Sequence, residues 1–492
     1  MKRVALATAA FLVALLALTA QASAAPPPVV MLVFDEFPAI SLLDAHGNID
    51  RERYPNFATL ASDGYWFPDA TASVDETGRA VETILTGNTP ERKRPRNVPS
   101  NPHNLFTWLD DDYLLDVAEE AAALCPKRDC PHAHVPGRAE LKRELAGGRP
   151  ERLESWLRGV RPHSRPTLYF KHVLLPHVPL RYYPTGDVYT RSISEPIPGI
   201  VETFHSHWLV EQAYQRHLLQ LAYTDRLVGE FLERLRKTGL YDRSLVIVTA
   251  DNGESFGLFG DRHQITDHKA ANIAFTPLFV KLPHQQRGRS VRRHVRTVDI
   301  VPTIAHVLHR RLPWRTQGKS MLGPAAREIP SRVPLIQRSG RVFTVSLQAL
   351  RRQRQARLRT KLKLFGSGVY GIGPDPELLG TPLFTWPVSP ARRTRARING
   401  AEALSHVERR SGLVPGLISG QISRDAKKTS RPLAFAVNGW IVATAPTFHM
   451  PHRRGELFTA VVPEPFLHDG DNQLQVLAVE HGASGTRLAR IF

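Results

Sequence analysis

The chain has 492 residues, 42% hydrophobic and 23% charged, a composition that excludes a disordered or collagen-like protein. A formal charge of +19 creates a field that attracts polyanions such as anionic lipid or anionic envelope polymers, and says nothing about fold. No zinc-finger or RNP signature accompanies that charge, so no nucleic-acid partner is expected.

In chain order, Lys2-Arg3 precedes Val4 to Ala20, a run that is apolar apart from Thr8 and Thr19, and then Ala22-Ser23-Ala24. Residues 1–24 therefore read as a signal peptide, cleaved after Ala24 or Ala25. The run is also about as long as the shortest spanning helix, so an uncleaved N-terminal anchor is the competing reading. Either way the protein is expected to be exported, secreted or associated with the cell envelope. Val29-Val30-Met31-Leu32-Val33-Phe34 is a continuous apolar run, the pattern of a strand buried on both faces. It ends in Asp35-Glu36, where an open α/β sheet keeps its ligands.

Tyr54 to Gly64 follows helical spacing. Ala80, Val81, Ile84 and Leu85 share one helical face, which puts Thr77 at or near a helix start. A threonine there is either a cap or a hydroxyl held where backbone N–H groups favour an anion. Cys125 and Cys130 are the only cysteines. In an exported chain they read as a local disulfide, with zinc binding beside His132 and His134 as the alternative.

Leu168 to Leu175 is the next apolar strand, and His177 follows between Pro176 and Pro179. Leu209 to Lys237 is the longest helical pattern. Leu245 to Ala250 repeats the opening motif, an apolar strand running into Asp251-Asn252-Gly253-Glu254. The loop beyond it carries Asp261, Arg262, His263, Asp267, His268 and Lys269. Phe275 to Val280 reads as a buried strand, and Val298 opens a helix that runs to about Leu308. Strands alternating with helices predict a large, mostly parallel sheet between helices.

Residues 311–335 read as a linker. Residues 351–363, with seven Arg or Lys, read as a solvated linker rather than a basic helix face. From Leu433 the pattern is β, with an Asn-Gly turn at 438–439, so residues 336–492 are expected to form a smaller β-rich accessory domain beside a catalytic domain at 28–310.

The order of these motifs resembles the sulfatase branch of the alkaline phosphatase superfamily: strand–Asp35-Glu36, Thr77 ahead of Thr86-Gly87, Pro176-His177-x-Pro179, strand–Asp251-Asn252-Gly253-Glu254, Thr276 to Val280, and Val298 to Thr303. The resemblance implies an alkaline-phosphatase/sulfatase-like α/β sandwich. It implies that Asp35, Glu36, Asp251 and Asn252 hold one divalent cation (Ca²⁺, Mg²⁺ or Mn²⁺). It carries the nucleophile onto Thr77, and oxyanion or leaving-group contacts onto His177 and the His268-Lys269 region. The expected substrate is an anionic sulfate or phosphate ester, on an envelope polymer or at a membrane surface.

Three features depart from the family. Thr77-Gly78-Arg79 replaces the Cys/Ser-x-Pro-x-Arg signature, so formylglycine conversion is not available. Glu36 stands where many sulfatases have Asp, and residues 112–140 hold no clear Lys-x-His. Threonine nucleophiles occur in related phosphodiesterases and phosphoglycerol transferases, which makes such a transferase the alternative within enzymes. A non-catalytic binder of envelope polymers is the alternative outside them.

Overall fold

The structure, a computed structural model, describes residues 25–492 except 91–94, 133, 191–205, 259–260, 324–330, 367, 392–393, 424–429, 452–454 and 484. The leader expected at 1–24 lies outside the described residues. Among those described, no helix is long and apolar enough to cross a membrane.

One seven-stranded sheet organises the first two thirds of the chain. In chain order its strands are β1 (Val29–Asp35), β2 (Tyr65–Trp66), β3 (Leu114–Ala118), β4 (Thr167–Pro176), β5 (Leu245–Ala250), β6 (Leu278–Lys281) and β7 (Arg289–Ser290). The spatial order is β3-β4-β1-β5-β6-β2-β7. β3, β4, β1 and β5 run parallel, and β6 turns the sheet antiparallel against both β5 and β2.

The apolar runs are buried because both sheet faces are covered. Val30, Leu32, Phe34, Val246 and Val248 pack toward α1 (Pro55–Asp63), α4 (Arg149–Gly159) and α5 (His207–Lys237). Val29, Met31, Val33, Leu245 and Ile247 pack toward α2 (Thr77–Thr86) and α6 (Ile300–Val307). Each such side chain contributes roughly 1.5–3 kcal/mol. Helix α1 has no cap of its own. Asp225 of α5 supplies one, accepting from the Phe57 N–H at 2.8 Å and from Asn56. A further helix, α3 (Arg138–Ala146), lies between β3 and α4 in the chain.

Cys125 and Cys130 are disulfide-bonded, with Cα atoms 5.9 Å apart. The zinc alternative has no free thiolates, and His134 turns instead to Glu140 at 2.9 Å.

The stretch read as a linker places Trp314 Nε1 on the Thr86 carbonyl at 2.9 Å, buries Met321, and enters a hairpin of β8 (Arg332–Ile336) and β9 (Val342–Ser346). The basic run at 351–363 is not a solvated linker. It lies within α7 (Leu347–Phe365), whose Leu347, Leu350 and Phe365 are buried. Lys361 is buried too, donating to the Ser41 and Leu43 carbonyls at 2.8 and 2.7 Å.

The chain ends in two sheets. One has five strands, β10 (Val388–Pro390), β13 (Pro432–Val437), β14 (Trp440–Pro446), β16 (Leu474–Gly482) and β17 (Gly485–Arg490); the other has β11 (Arg395–Ile398), β12 (Leu417–Ser423) and β15 (Glu456–Val461). The β13–β14 turn is Asn438-Gly439, both at positive φ, as a tight hairpin requires. Phe435, Phe458 and Val461 share a core with Trp208, Leu209 and Ala213 from the N-terminal half of α5.

His294 is buried near the sheet edge, its Nε2 2.9 Å from Thr71 Oγ1. Burial, then the Arg296 and Arg351 charges against Asp69, pushes its pKa from 6.5 down to about 4. Between those values the unfolded chain binds the extra proton, so stability falls as pH drops from 6.5 to 4. Relative to a His294→Gln variant, wild type is expected to lose at most about 3 kcal/mol across that window, read as the difference in urea midpoints. Parallel pH curves for the two proteins would remove His294 as the cause.

Candidate active site

Strand register assembles the site. Phe34 pairs with Ala250 in the parallel β1–β5 ladder, so Asp35 and Asp251 leave the sheet side by side. On the other flank a register shift aligns Asp35 with Pro176, which brings His177 to the same edge. The two loops are then tied together. Glu36 N–H donates to Asp251 Oδ1 at 3.2 Å, and Phe37 N–H to the Asn252 carbonyl at 2.8 Å. Gly253 is required by close approach, because a Cβ there would lie 2.1 Å from the Asn272 carbonyl oxygen.

Helix α2 brings its first residue to this edge. Its cap is the Glu76 carboxylate, which accepts from Arg79 N–H at 3.3 Å. Thr77 is therefore not the capping residue, and its half-buried hydroxyl donates to Asp35 Oδ1 at 3.2 Å. A cavity of about 520 Å³ opens over the site, and Asp35, Glu36, Thr77, His177 and Asn252 line it.

His268 and Lys269 are not brought to the cavity. Lys269 Nζ donates to the Asp261 carbonyl at 2.9 Å, and the His268 carbonyl accepts from Arg357 of α7 at 2.8 Å. The same loop instead delivers Arg262 and His263, both lining the cavity. Arg262 forks onto Glu36 at 2.7 and 2.9 Å and reaches Glu254 at 2.6 Å. His263 Nε2 contacts Glu36 Oε1, and His177 Nε2 lies 2.9 Å from the same oxygen. The resemblance carries oxyanion or leaving-group contacts onto His268 and Lys269, and the structure gives the place beside Glu36 to Arg262 and His263 of the same loop.

The electrostatics follow from this packing. Burial opposes charge on Glu36, yet Arg262, then His177 and His263, hold its carboxyl well below the usual range. Burial likewise opposes the His177 imidazolium, but Glu36 and Asp35 outweigh it and raise the group to about 9. Burial and the Asp35 carboxylate push Asp251 well above the ordinary value, and the His172 charge pulls the other way but is outweighed. Glu36 also sits at φ 56°, a left-handed conformation costly for a non-glycine residue and often found at functional sites.

The residues fit a hard cation. Asn252 Oδ1 is buried with no hydrogen-bond partner among the described residues. Ligand atoms of Asp35, Glu36 and His177 lie within 4.8 Å of one another. Carboxylate and amide oxygens in such a cluster select Ca²⁺, Mg²⁺ or Mn²⁺ over softer ions.

Side chains with no sequence signature hold the His177 loop. Arg149, only 2% exposed, donates to the Leu174 carbonyl at 3.2 Å, the Pro179 carbonyl at 2.7 Å and the His177 carbonyl, and its guanidinium lies over the Tyr182 ring. Gln220 Nε2 donates to the Pro176 and His177 carbonyls at 2.8 and 2.9 Å. At the end of β3, Glu120 pairs with Lys171 and with Arg152 at 3.2 Å, where a Lys-x-His had been sought.

Residues 151–309 match the sulfatase family model. A 115-residue stretch is 29% identical to lipoteichoic acid synthase 2 of Bacillus subtilis (strain 168), covering 22% of this chain and 18% of that protein. A 108-residue stretch is 32% identical to arylsulfatase K of Bos taurus, covering 22% and 19%. The chain thus spans under a fifth of the length of these curated relatives. Among solved structures, the phosphonate monoester hydrolase of Agrobacterium radiobacter is similar at TM-score 0.46 and 16% identity, over 63% of this chain and 80% of that one. A structure in complex with its substrate D-glucosamine-2-N,6-O-disulfate is similar at TM-score 0.49 and 13% identity, over 69% and 95%.

Proposed function

We propose that the protein is an exported, metal-dependent hydrolase of phosphate or sulfate esters, with Thr77 as nucleophile. The observation that carries this reading is the Thr77 hydroxyl, free of capping and donating to Asp35 at 3.2 Å. Asp35, Glu36, Asp251 and Asn252 would hold the cation, which supplies charge for the ester oxygens and acidifies a nearby hydroxyl. Thr77 Oγ passes its proton to Asp35 and attacks phosphorus or sulfur in line. The bond to the leaving oxygen breaks, and His177 or His263 supplies that oxygen's proton. Water then releases the threonyl ester. With no Cys or Ser at position 77 for conversion to formylglycine, a phosphodiester is the favoured substrate over a sulfate.

A phosphoglycerol-type transferase is the second reading, supported by the stretch similar to lipoteichoic acid synthase 2. There an acceptor hydroxyl replaces water in the last step. The basic chain suits an anionic envelope substrate in either case.

The test is turnover of aryl phosphodiester, phosphate monoester, phosphonate and sulfate esters with Ca²⁺, Mg²⁺, Mn²⁺ or EDTA. Metal-dependent phosphodiester turnover abolished by EDTA is expected, and transfer of the aryl-phosphoryl group to added glycerol would identify the transferase. Turnover unaffected by EDTA would defeat the metal assignment. Absence of both turnover and metal binding would leave a non-catalytic binder of anionic polymers.

A further inference from the structure

Arg96 plays no part in the reaction just described, yet it lies beside the nucleophile. A Cβ placed on Gly78 would be 2.4 Å from Arg96 Nε and 2.7 Å from its Cζ. The guanidinium therefore rests on the bare backbone of the residue that follows Thr77, an approach open only to glycine. Its Nη1 is 3.3 Å from Glu76 Oε1, and its Nε is buried with no hydrogen-bond partner among the described residues. The Arg96 carbonyl accepts from Ala123 N–H at 2.9 Å, which fixes its backbone to the segment leading into the disulfide. The side chain is 30% exposed, and it lines the cavity. Arg79, the other arginine at this helix start, is not among the residues lining the cavity, and its Nη1 and Nη2 each donate to a carbonyl, of Gln337 and Pro90, at 3.3 Å.

We infer that Arg96 is a substrate-contacting residue that takes a free anionic oxygen of the ester while Thr77 attacks. This rests on the ester-hydrolase reading and sharpens its substrate class. A guanidinium fork matches the oxygens of a phosphoryl or sulfuryl group and gains strength beside the N-terminus of α2. It specifies monoesters or diesters that carry at least one negative oxygen. Neutral carboxylic esters and phosphotriesters give it nothing to hold. Glu76 keeps the guanidinium in place until substrate arrives.

The experiment compares wild type with Arg96→Ala, Arg96→Lys and Gly78→Ala, using bis(4-nitrophenyl) phosphate for turnover and inorganic phosphate for binding by calorimetry, with thermal midpoints as a check on folding. Arg96→Ala is expected to lower kcat/KM about 100-fold. Added guanidinium should restore about tenfold of this, and Arg96→Lys should fall between, since an ammonium supplies charge without the fork. Gly78→Ala should lose activity in the same direction by displacing the guanidinium. Arg96→Ala activity near wild type, or a loss that guanidinium does not relieve, would overturn the inference while leaving the hydrolase reading standing. If wild type turns over no ester, phosphate binding decides: loss of binding in Arg96→Ala upholds the contact and defeats the hydrolase, whereas equal binding, or none in wild type, overturns the contact as well.

Discussion

Thr77→Ala is expected to abolish ester turnover, by on the order of 10⁴-fold or more in kcat, while the protein stays folded. The hydroxyl makes one hydrogen bond, to Asp35, and the residue is half-buried at the first position of α2. Removing it costs about 1 kcal/mol of stability, because Glu76 and not Thr77 caps the helix. Thr77→Ser keeps an oxygen at the same place and should retain measurable turnover. Rapid quenching of wild type with a labelled phosphodiester should trap label on the peptide that carries Thr77, and none in the alanine variant. Full activity in Thr77→Ala would move the nucleophile to water and leave the threonine a structural residue.

The second large effect is expected behind the His177 loop, at a residue that holds its backbone. Arg149→Ala should destabilise the protein by about 3–5 kcal/mol, since the Leu174, His177 and Pro179 carbonyls lose their donor in a buried setting. Burial works against the guanidinium and lowers its pKa to about 10, so it stays charged at neutral pH. Arg149→Lys should recover only part of the loss, because an ammonium cannot span three carbonyls and lie over Tyr182 together. Urea unfolding measures the first effect. The second readout is kcat: with the loop released, His177 leaves Glu36 and turnover falls even where the variant is fully folded. A destabilisation under about 1 kcal/mol would mean that Gln220 alone holds the loop.

The strands were legible because their signal is local. Val29 to Phe34 is an unbroken apolar run, Leu168 to Leu175 and Leu245 to Ala250 are mostly apolar, and each lies within a buried strand of the structure. Residues at strand ends inherit that legibility, so Asp35, Glu36, His177, Asp251 and Asn252 could be placed from sequence, and Thr77 from the face of the helix behind it. What was not legible depends on contacts across the chain. Arg149 finds carbonyls some thirty positions away through the folded path of β4, and nothing in its neighbours announces this. Arg262 and His263 differ from His268 and Lys269 only in which turn of one loop meets Glu36. Residues 351–363 of α7 read as solvated because their seven charges outnumber their three apolar residues. Arg351 and Arg354 spend theirs on Asp69, and Lys361 spends its own on backbone carbonyls.

Helix α5 has 31 residues and works at both ends. Its C-terminal half fills the core beside β1 and β5, and its N-terminal half fills the core of the terminal strands. Lys361 adds a second tie, reaching back to the turn that follows Glu36. A gene broken near residue 310 would therefore not yield two modules. The front fragment would carry an uncovered half-helix bearing Trp208 and Leu209, and the rear fragment would lack the helix it was built around. Recombination that shuffles this C-terminal region among related genes must exchange it together with its match on α5, so the two segments are bound to change as one unit although some two hundred residues of sequence separate them.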